Sequence, residues 1–227
     1  MPVDGMRAFL GLMKIVAGGR VVAAGIDGLR EAAGNSRDGF GAGGSSDRPV
    51  LKLHSAPSIQ ERIAYIRKMG NKGKIDPEVY EFTRKALTKK CGVGGDGRTN
   101  WCTEEKDYDA EVTAIFNAVR DEVRYTHDIR GIDTYQHPKR TLQFHGGDCD
   151  DSSSLLAAML MSAGYEVRGR IIRTNDAEDW NHIFVIVKVP TGNDSSKWCA
   201  LDASVRKPAG WYPPDSMVAQ KADFAFD

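Results

Sequence analysis

The order of hydrophobic patterns along the chain predicts an α+β fold, and three observations carry that expectation. Helix-period stretches fill the first part of the chain and end in an amphipathic segment at 107–125. A further helix pattern opens directly after Cys149. Three strand patterns then follow one another at 166–174, 182–190 and 197–203, the last two joined by the turn sequence TGNDSS. Helices followed by consecutive strands argue for an antiparallel sheet with helices packed on it, not for an alternating parallel design.

A chain of 227 residues and 24.9 kDa suits one domain with an extension. Lys and Arg total 31, as do Asp and Glu, so the net charge is zero. Nothing in that balance calls for nucleic acid or an anionic membrane as a partner. No apolar run approaches the ~18 residues of a membrane span. The first 33 residues read as a helical appendage. Lys14 and Arg20 interrupt its apolar stretch and the acidic Asp4 precedes it, which argues against a secretory signal. Residues 34–49 are rich in Gly, Ser and Asp and read as a flexible linker.

Residues 50–106 read as a helical lead-in. Ser58 and Glu61 form a capping box before Ile59, Ile63 and Ile66, which share a helical face. Asp76-Pro77 begins a second helix, expected to end near Cys91-Gly92. The segment CGVGGDGRTNWC reads as a turn-rich connector, since neither a preceding strand nor a following Gly-Lys-Ser/Thr supports a phosphate loop. Cys91 and Cys102 flank it, as a bridge in an oxidising compartment or, in the preferred reading, as two unrelated thiols. None of the four cysteines forms a Cys-x-x-Cys pair, so a structural zinc site is not expected.

Residues 107–227 are the expected functional domain. Val112, Ile115, Phe116, Val119 and Val123 line one face of its first helix. Residues 126–146 read as extended and irregular. His127, Asp128, Asp133 and His137 fall there without the spacing of a common metal site and read as a solvated loop. Leu155, Leu156, Met159 and Leu160 supply the buried side of the next helix, and Gly164 ends it. Arg168, Arg170 and Arg173 read as a solvated strand face.

Cys149, His182 and Asp202 are the candidate catalytic residues. A thiol needs help to act as a nucleophile, and a helix N-terminus and a histidine both supply it. Cys149 follows Gly146-Gly147 at such a terminus, His182 opens a strand, and Asp202 lies on the next one. Cross-strand neighbours are close enough for the carboxylate to hold the imidazole and stabilise its cation. Asp148, Asp150 and Asp151 would raise the thiol pKa, so their carboxylates are expected to cap the helix or point outward. His145 is a rival base, ranked lower because no following strand would orient it.

The strings TLQFHGGDCDDSSSLLAAMLMSAGYEVRGRII, WNHIFVIV and WCALDAS resemble the transglutaminase-like superfamily. The matching positions are Gly147-Asp148-Cys149, Gly164-Tyr165 through Arg168, His182, and Trp198 to Asp202, with Val123-Arg124-Tyr125, Pro138 and Thr141-Leu142 as lead-in. The resemblance covers roughly 107–205 and does not reach the first hundred residues. It implies a papain-like core in which the Cys-bearing helix packs on an antiparallel sheet, with an N-terminal helical extension. It implies a Cys-His-Asp triad and acyl transfer, with no metal or organic cofactor. Gln143, six residues before Cys149, would be an oxyanion donor beside the Cys149 amide, or else an exposed loop amide; Trp180 would wall the cleft or donate its indole N–H.

The resulting expectation is a cysteine peptidase or amidohydrolase acting on protein or peptidoglycan. A crosslinking transferase shares the acyl-enzyme and stays open. The alternative is a bacteriophage virion protein of tail or neck that keeps the fold and docks on other virion proteins through its N-terminal segment. The corresponding locations are the virion or the bacterial cytoplasm.

Overall fold

The computed structural model describes residues 52–54, 57–129, 132–192 and 195–226. The expected appendage at 1–33, its docking role and the linker at 34–49 lie outside these residues. The fold is α+β. Strand β1 (Lys52–His54) precedes α1 (Ile59–Gly73) and α2 (Pro77–Leu87). A hairpin of β2 (Lys90–Val93) and β3 (Thr99–Trp101) leads to α3 (Tyr108–Glu122). Then come β4 (Arg124–Tyr125), β5 (Asp133–Tyr135), α4 (Pro138–Phe144), β6 (Gly146–Gly147) and α5 (Cys149–Ser162). The chain finishes with β7 (Glu166–Thr174), β8 (His182–Gly192), β9 (Ser195–Leu201) and β10 (Val218–Ala225).

Capping sets the helix starts. Ser58 and Glu61 form the full box at α1, Asp76 accepts from the amides of Glu78 and Val79 ahead of Pro77, and Asp107 accepts from Ala110 N. The four-stranded sheet runs β10-β7-β8-β9, antiparallel throughout. Helix α5 lies at the centre of the molecule. Leu155, Leu156, Ala157, Ala158, Met159 and Leu160 are all fully buried, so the helix is enclosed on every side and not on one stripe. Helices α1 to α4 pack around it, and the sheet covers the remaining side through Val167, Ile183, Val185 and Val187. A smaller cluster of Ile172, Phe184, Ile186 and Ala200 fills the opposite face of the sheet.

The structure departs from the sequence reading in five places. Helix α2 stops at Leu87, capped at Thr88, short of Cys91. The glycine-rich segment is the β2–β3 hairpin, and Cys91 and Cys102 are a disulfide across it, with Cα atoms 4.9 Å apart. Gly92 and Gly97 supply the positive φ that the hairpin needs. The stretch at 126–146 is not irregular: it holds β5 and α4, the latter started by His137, whose side chain accepts from Lys139 N ahead of Pro138. Strand β10, which the sequence reading lacks, occupies the edge beside β7. Nor is the arginine face simply solvated. Arg170 forms a two-pronged ion pair with Asp223 of β10, and Arg168 lies over the Trp198 ring.

Candidate active site

Helix α5 brings Cys149 to its first turn. Asp148 is the N-cap, its Oδ1 accepting from Asp150 N at 3.1 Å and Asp151 N at 3.4 Å. Strand β4 pairs in parallel with β6, setting Tyr125 beside Gly147. Arg124 N donates to His145 O, and Thr126 N to Gly147 O. Gly147 allows a close approach: a Cβ there would lie 2.6 Å from Asp151 Cβ. Half-buried Cys149 thus lines a cavity of about 90 Å³ together with His182, Tyr125, Asp150, Trp180 and Asn181.

Strand β8 brings the imidazole. Asn181 anchors its approach, donating from its backbone to Ile172 O and exchanging two side-chain bonds with Thr174 at 3.0 and 2.9 Å. Ser153, one turn along α5, donates to Ile183 O at 3.3 Å and so ties the start of β8 to the first turns of α5. Val185 pairs with Leu201, so by the same register Asp202 falls opposite Phe184 and its diagonal neighbour is His182. His182 Nε2 meets Asp202 Oδ2 at 2.7 Å, with both side chains buried. Asp202 Oδ1 accepts from Ser204 N and Oγ at 3.2 and 2.6 Å, which fixes the carboxylate. Because a carboxylate only accepts, Nε2 carries the proton and Nδ1 is the basic nitrogen.

The other sequence candidates separate. Trp180 lines the cavity, and its carbonyl accepts from Arg62 at 3.4 Å. Gln143 does not reach it. Its amide donates to Glu78 Oε2 at 3.2 Å, on a different surface depression that also holds His145. The chain between Gln143 and Cys149 is the end of α4 plus β6, and that path carries the glutamine away from the sulfur. His145 is exposed and pairs with Glu122 at 2.5 Å. His127 and Asp128 line the cavity, while His137 caps α4, so that acidic, histidine-bearing stretch is divided between two places.

Acidic groups near the sulfur are more numerous and more enclosed than expected. Asp151 is buried and accepts from Gln136 N at 2.7 Å and from the Gln136 side-chain amide. Asp150 points inward as well, and its Oδ1 is shut off from solvent with no hydrogen-bond partner. The expectation that these two carboxylates cap the helix or face outward is thus corrected: only Asp148 caps. One oxygen from each of Asp148, Asp150 and Asp151 lies within 4.8 Å of the others, the one such group among the described residues with spacing to share a cation. Burial raises the pKa of all three, and for Asp150 and Asp151 the charge of Asp148 adds to it. Asp128 is pushed up to about 6 by burial and then by Asp148, although Thr134 N and Oγ bond its carboxylate. The Cys149 thiol is raised well above its ordinary value by burial, then by Asp148 and Asp150; the Ile183 amide pulls the other way. Helix N-terminal charge does not win at this sulfur. Sequence reasoning missed Arg62, Tyr125, Asp128 and Asp133, all in the cavity wall.

Residues 97–203 match the model of the transglutaminase-like superfamily. No curated protein sequence matches the chain. Among solved structures the chain is similar to a candidate protease from Parabacteroides distasonis ATCC 8503, at 15% identity and a TM-score of 0.39 over 65% of this chain and 27% of that one. It is also similar to a candidate cysteine protease from Cytophaga hutchinsonii, at 14% identity and a TM-score of 0.42 over 77% of this chain and 58% of that one. The chain therefore spans less than two thirds of either protein. The family model covers the Cys-bearing helix, the strand of His182 and the end of β9 that leads to Asp202, so residues 97–203 of this chain match a transglutaminase-like domain.

Proposed function

We propose that the chain is a thiol-dependent acyl-transfer enzyme, a cysteine peptidase or amidohydrolase that cleaves amide bonds of protein or peptidoglycan. Cys149 is the nucleophile, His182 the general base and acid, and Asp202 the residue that orients the imidazole. The observation that carries this reading is the 2.7 Å bond from His182 Nε2 to Asp202, with His182 and Cys149 lining the same cavity.

The raised thiol pKa gives the mechanism its form. Burial and the neighbouring carboxylates favour the resting thiol over a standing thiolate. Proton transfer then accompanies attack: the sulfur bonds the carbonyl carbon as its proton passes to His182 Nδ1. Collapse breaks the C–N bond and the leaving amine takes that proton. Water next attacks the thioester, giving a proton to Nδ1 that returns to sulfur as the C–S bond breaks. Asp202 stabilises the imidazolium in both halves. A primary amine in place of water would give crosslinking from the same intermediate.

The test incubates purified protein with casein and with peptidoglycan, wild type against Cys149→Ala, and measures new amines. Release by wild type that the variant lacks is expected. Equal release, or none on either substrate with the protein folded, overturns the hydrolytic reading; loss of free amines on casein would instead point to crosslinking.

A further inference from the structure

We propose that the Tyr125 hydroxyl is the side-chain donor of the oxyanion hole, acting with the backbone amide of Cys149; this rests on the reading of Cys149 as nucleophile. The attacked carbonyl oxygen gains negative charge as sulfur bonds its carbon, and donors already in place stabilise that charge. Gln143, which the sequence suggested for the task, donates to Glu78 on a different surface. The main chain brings another side chain to the sulfur. Strand β4 lies parallel to β6 with Tyr125 opposite Gly147, two residues before Cys149, and Thr126 N donates to Gly147 O at 3.0 Å. Tyr125 lines the cavity that Cys149 and His182 line. His127 meets the Tyr125 ring edge-on, 4.9 Å between centroids, which steadies its plane.

The hydroxyl is available for this task. It makes no hydrogen bond to any of the described residues. Other donors in the wall are engaged. Arg62 pairs with Asp133 at 3.2 Å and donates to the carbonyls of Pro57 and Trp180 at 3.3 and 3.4 Å. The Asn181 amide donates to Thr174 Oγ1 at 2.9 Å, and His182 Nε2 is held by Asp202. Burial pushes the Tyr125 phenol up, and Cys149 is the first charge to add to that effect. The phenol therefore keeps its proton throughout the neutral range and donates without becoming a rival base. The backbone donor comes from the first turn of α5. Asp148 accepts from the amides of Asp150 and Asp151, and Ser152 N donates to Asp148 O. The Cys149 amide, first in the helix, has no such partner among the described residues and sits at the positive end of the dipole. The rival is the Trp180 indole. It arrives with the strand that carries the base, whereas Tyr125 arrives against β6, which leads directly into the Cys149 turn.

The experiment uses the whole chain and two reagents for one sulfur. p-Nitrophenyl acetate acylates Cys149 through an oxyanion: sulfur bonds the carbonyl carbon, the thiol proton passes to His182 Nδ1, and the C–O bond breaks to release p-nitrophenolate. Iodoacetamide alkylates the same sulfur by displacing iodide and forms no oxyanion. Rates at Cys149 are read by acid quench and peptide mass mapping, with N-acetylcysteine amide as reference. The sulfur's own reactivity largely cancels in the ratio of acylation to alkylation. One oxyanion donor is worth about 10²–10³ in rate toward an amide, and an activated ester needs less of it. The wild-type ratio is therefore expected to exceed that of the reference at least ten-fold. Tyr125→Phe, which removes one oxygen and keeps the ring, should lower the ratio at least five-fold with alkylation within two-fold of wild type. Anything short of either result overturns the proposal, including both rates falling together. The comparison of wild type with the reference stands even where the variant does not fold. A loss of ratio in Trp180→Phe with none in Tyr125→Phe assigns the donor to the indole and overturns the proposal as well. Absolute rates answer the separate question of the nucleophile: acylation and alkylation at Cys149 both unchanged by His182→Ala would sink the Cys–His assignment and leave the ratio readable.

Discussion

Asp202, buried against the imidazole, and Asp150, half-buried in the cavity wall beside Cys149, are carboxylates whose surroundings give them opposite consequences. Asp202 accepts from His182 and from two groups of Ser204, so its charge is compensated. Asp202→Asn keeps the shape but offers the imidazole an amide, which favours the wrong tautomer. Turnover is expected to fall roughly 10²–10⁴-fold with KM little changed, checked by steady-state kinetics with circular dichroism as the fold control. Asp150 has an orphaned oxygen, and burial and Asp148 hold its proton on. Such a carboxyl binds its proton in the folded chain at pH values where the unfolded chain has lost it. Its stabilising share is complete below the ordinary carboxylate range and disappears as pH rises through the folded value. Asp128, at about 6, behaves the same way over roughly pH 4 to 6. The melting temperature of wild type should therefore drop between pH 5 and pH 8. Asp150→Asn should flatten that slope and melt at least ~2 °C higher at pH 8, since about 1 kcal/mol moves a domain of this size by roughly 2–4 °C. The substitution gives up a favourable charge in the first helical turn, worth only about 0.3–1 kcal/mol. The same change removes a negative neighbour from the sulfur, so the pH midpoint of Cys149 alkylation should shift down. A variant that melts lower than wild type at pH 8, with an unmoved alkylation midpoint, would refute this account of the acidic lobe.

At the scale of elements, the molecule depends on how closely the first helix approaches the central one. Gly73 ends α1 where a Cβ would lie 2.4 Å from Pro138 Cγ and 2.9 Å from Ala158 Cβ. Three helices, α1, α4 and α5, meet there with no room for a methyl group. Gly73→Ala should cost about 1–3 kcal/mol by overpacking, against the ~1 kcal/mol that alanine would gain in an open helix, and denaturant unfolding should show the loss. Equal or higher stability would mean the contact is softer than its geometry. This packing also marks the limit of what the sequence revealed. Caps at Ser58 and Asp76 were readable because they are local, as were the strand at 166–174 and the Val112–Val119 stripe. The succession of Cys149 and His182 could be placed on helix and strand because period and register act over short distances, while Asp202, read as a strand residue, falls just past the end of β9. Strand β10 escaped because its inward residues, Phe224 and Phe226, are separated from the rest of its pattern by Lys221 and Asp223. The cavity wall escaped for a different reason. Arg62 comes from α1 and Asp128 from the segment after β4, and no period links them. Asp150 and Asp151 read as surface by residue type; only a helix enclosed on every side turns them inward.

The whole molecule is closed by contact between its first helix and its last strand. Phe226 is 1% exposed, and a Cβ on Gly70 of α1 would lie 2.6 Å from its ring. Asn71 donates to Phe226 O, and Arg67 donates to Ala225 O at 2.8 Å, while Phe224 packs across Gly169 of β7. The last described residues are thus held by α1, and β10 covers an edge of β7 that would otherwise be open to pairing. This clamp lies apart from the sulfur. The cavity takes Arg62 and Ile66 from α1 and Ile171 from β7, but no residue from β10. Stability and chemistry should therefore separate when the clamp is cut. Phe226→Ala is expected to lose about 3–5 kcal/mol, the usual cost of truncating a buried phenylalanine, seen as a lower denaturation midpoint with an unchanged slope. At a temperature where the variant is still fully folded, its Cys149 alkylation rate should stay within two-fold of wild type. A proportionate loss of both would show that α1 transmits the state of the clamp to Arg62, making the C-terminal strand part of the cleft's support and not only of the core.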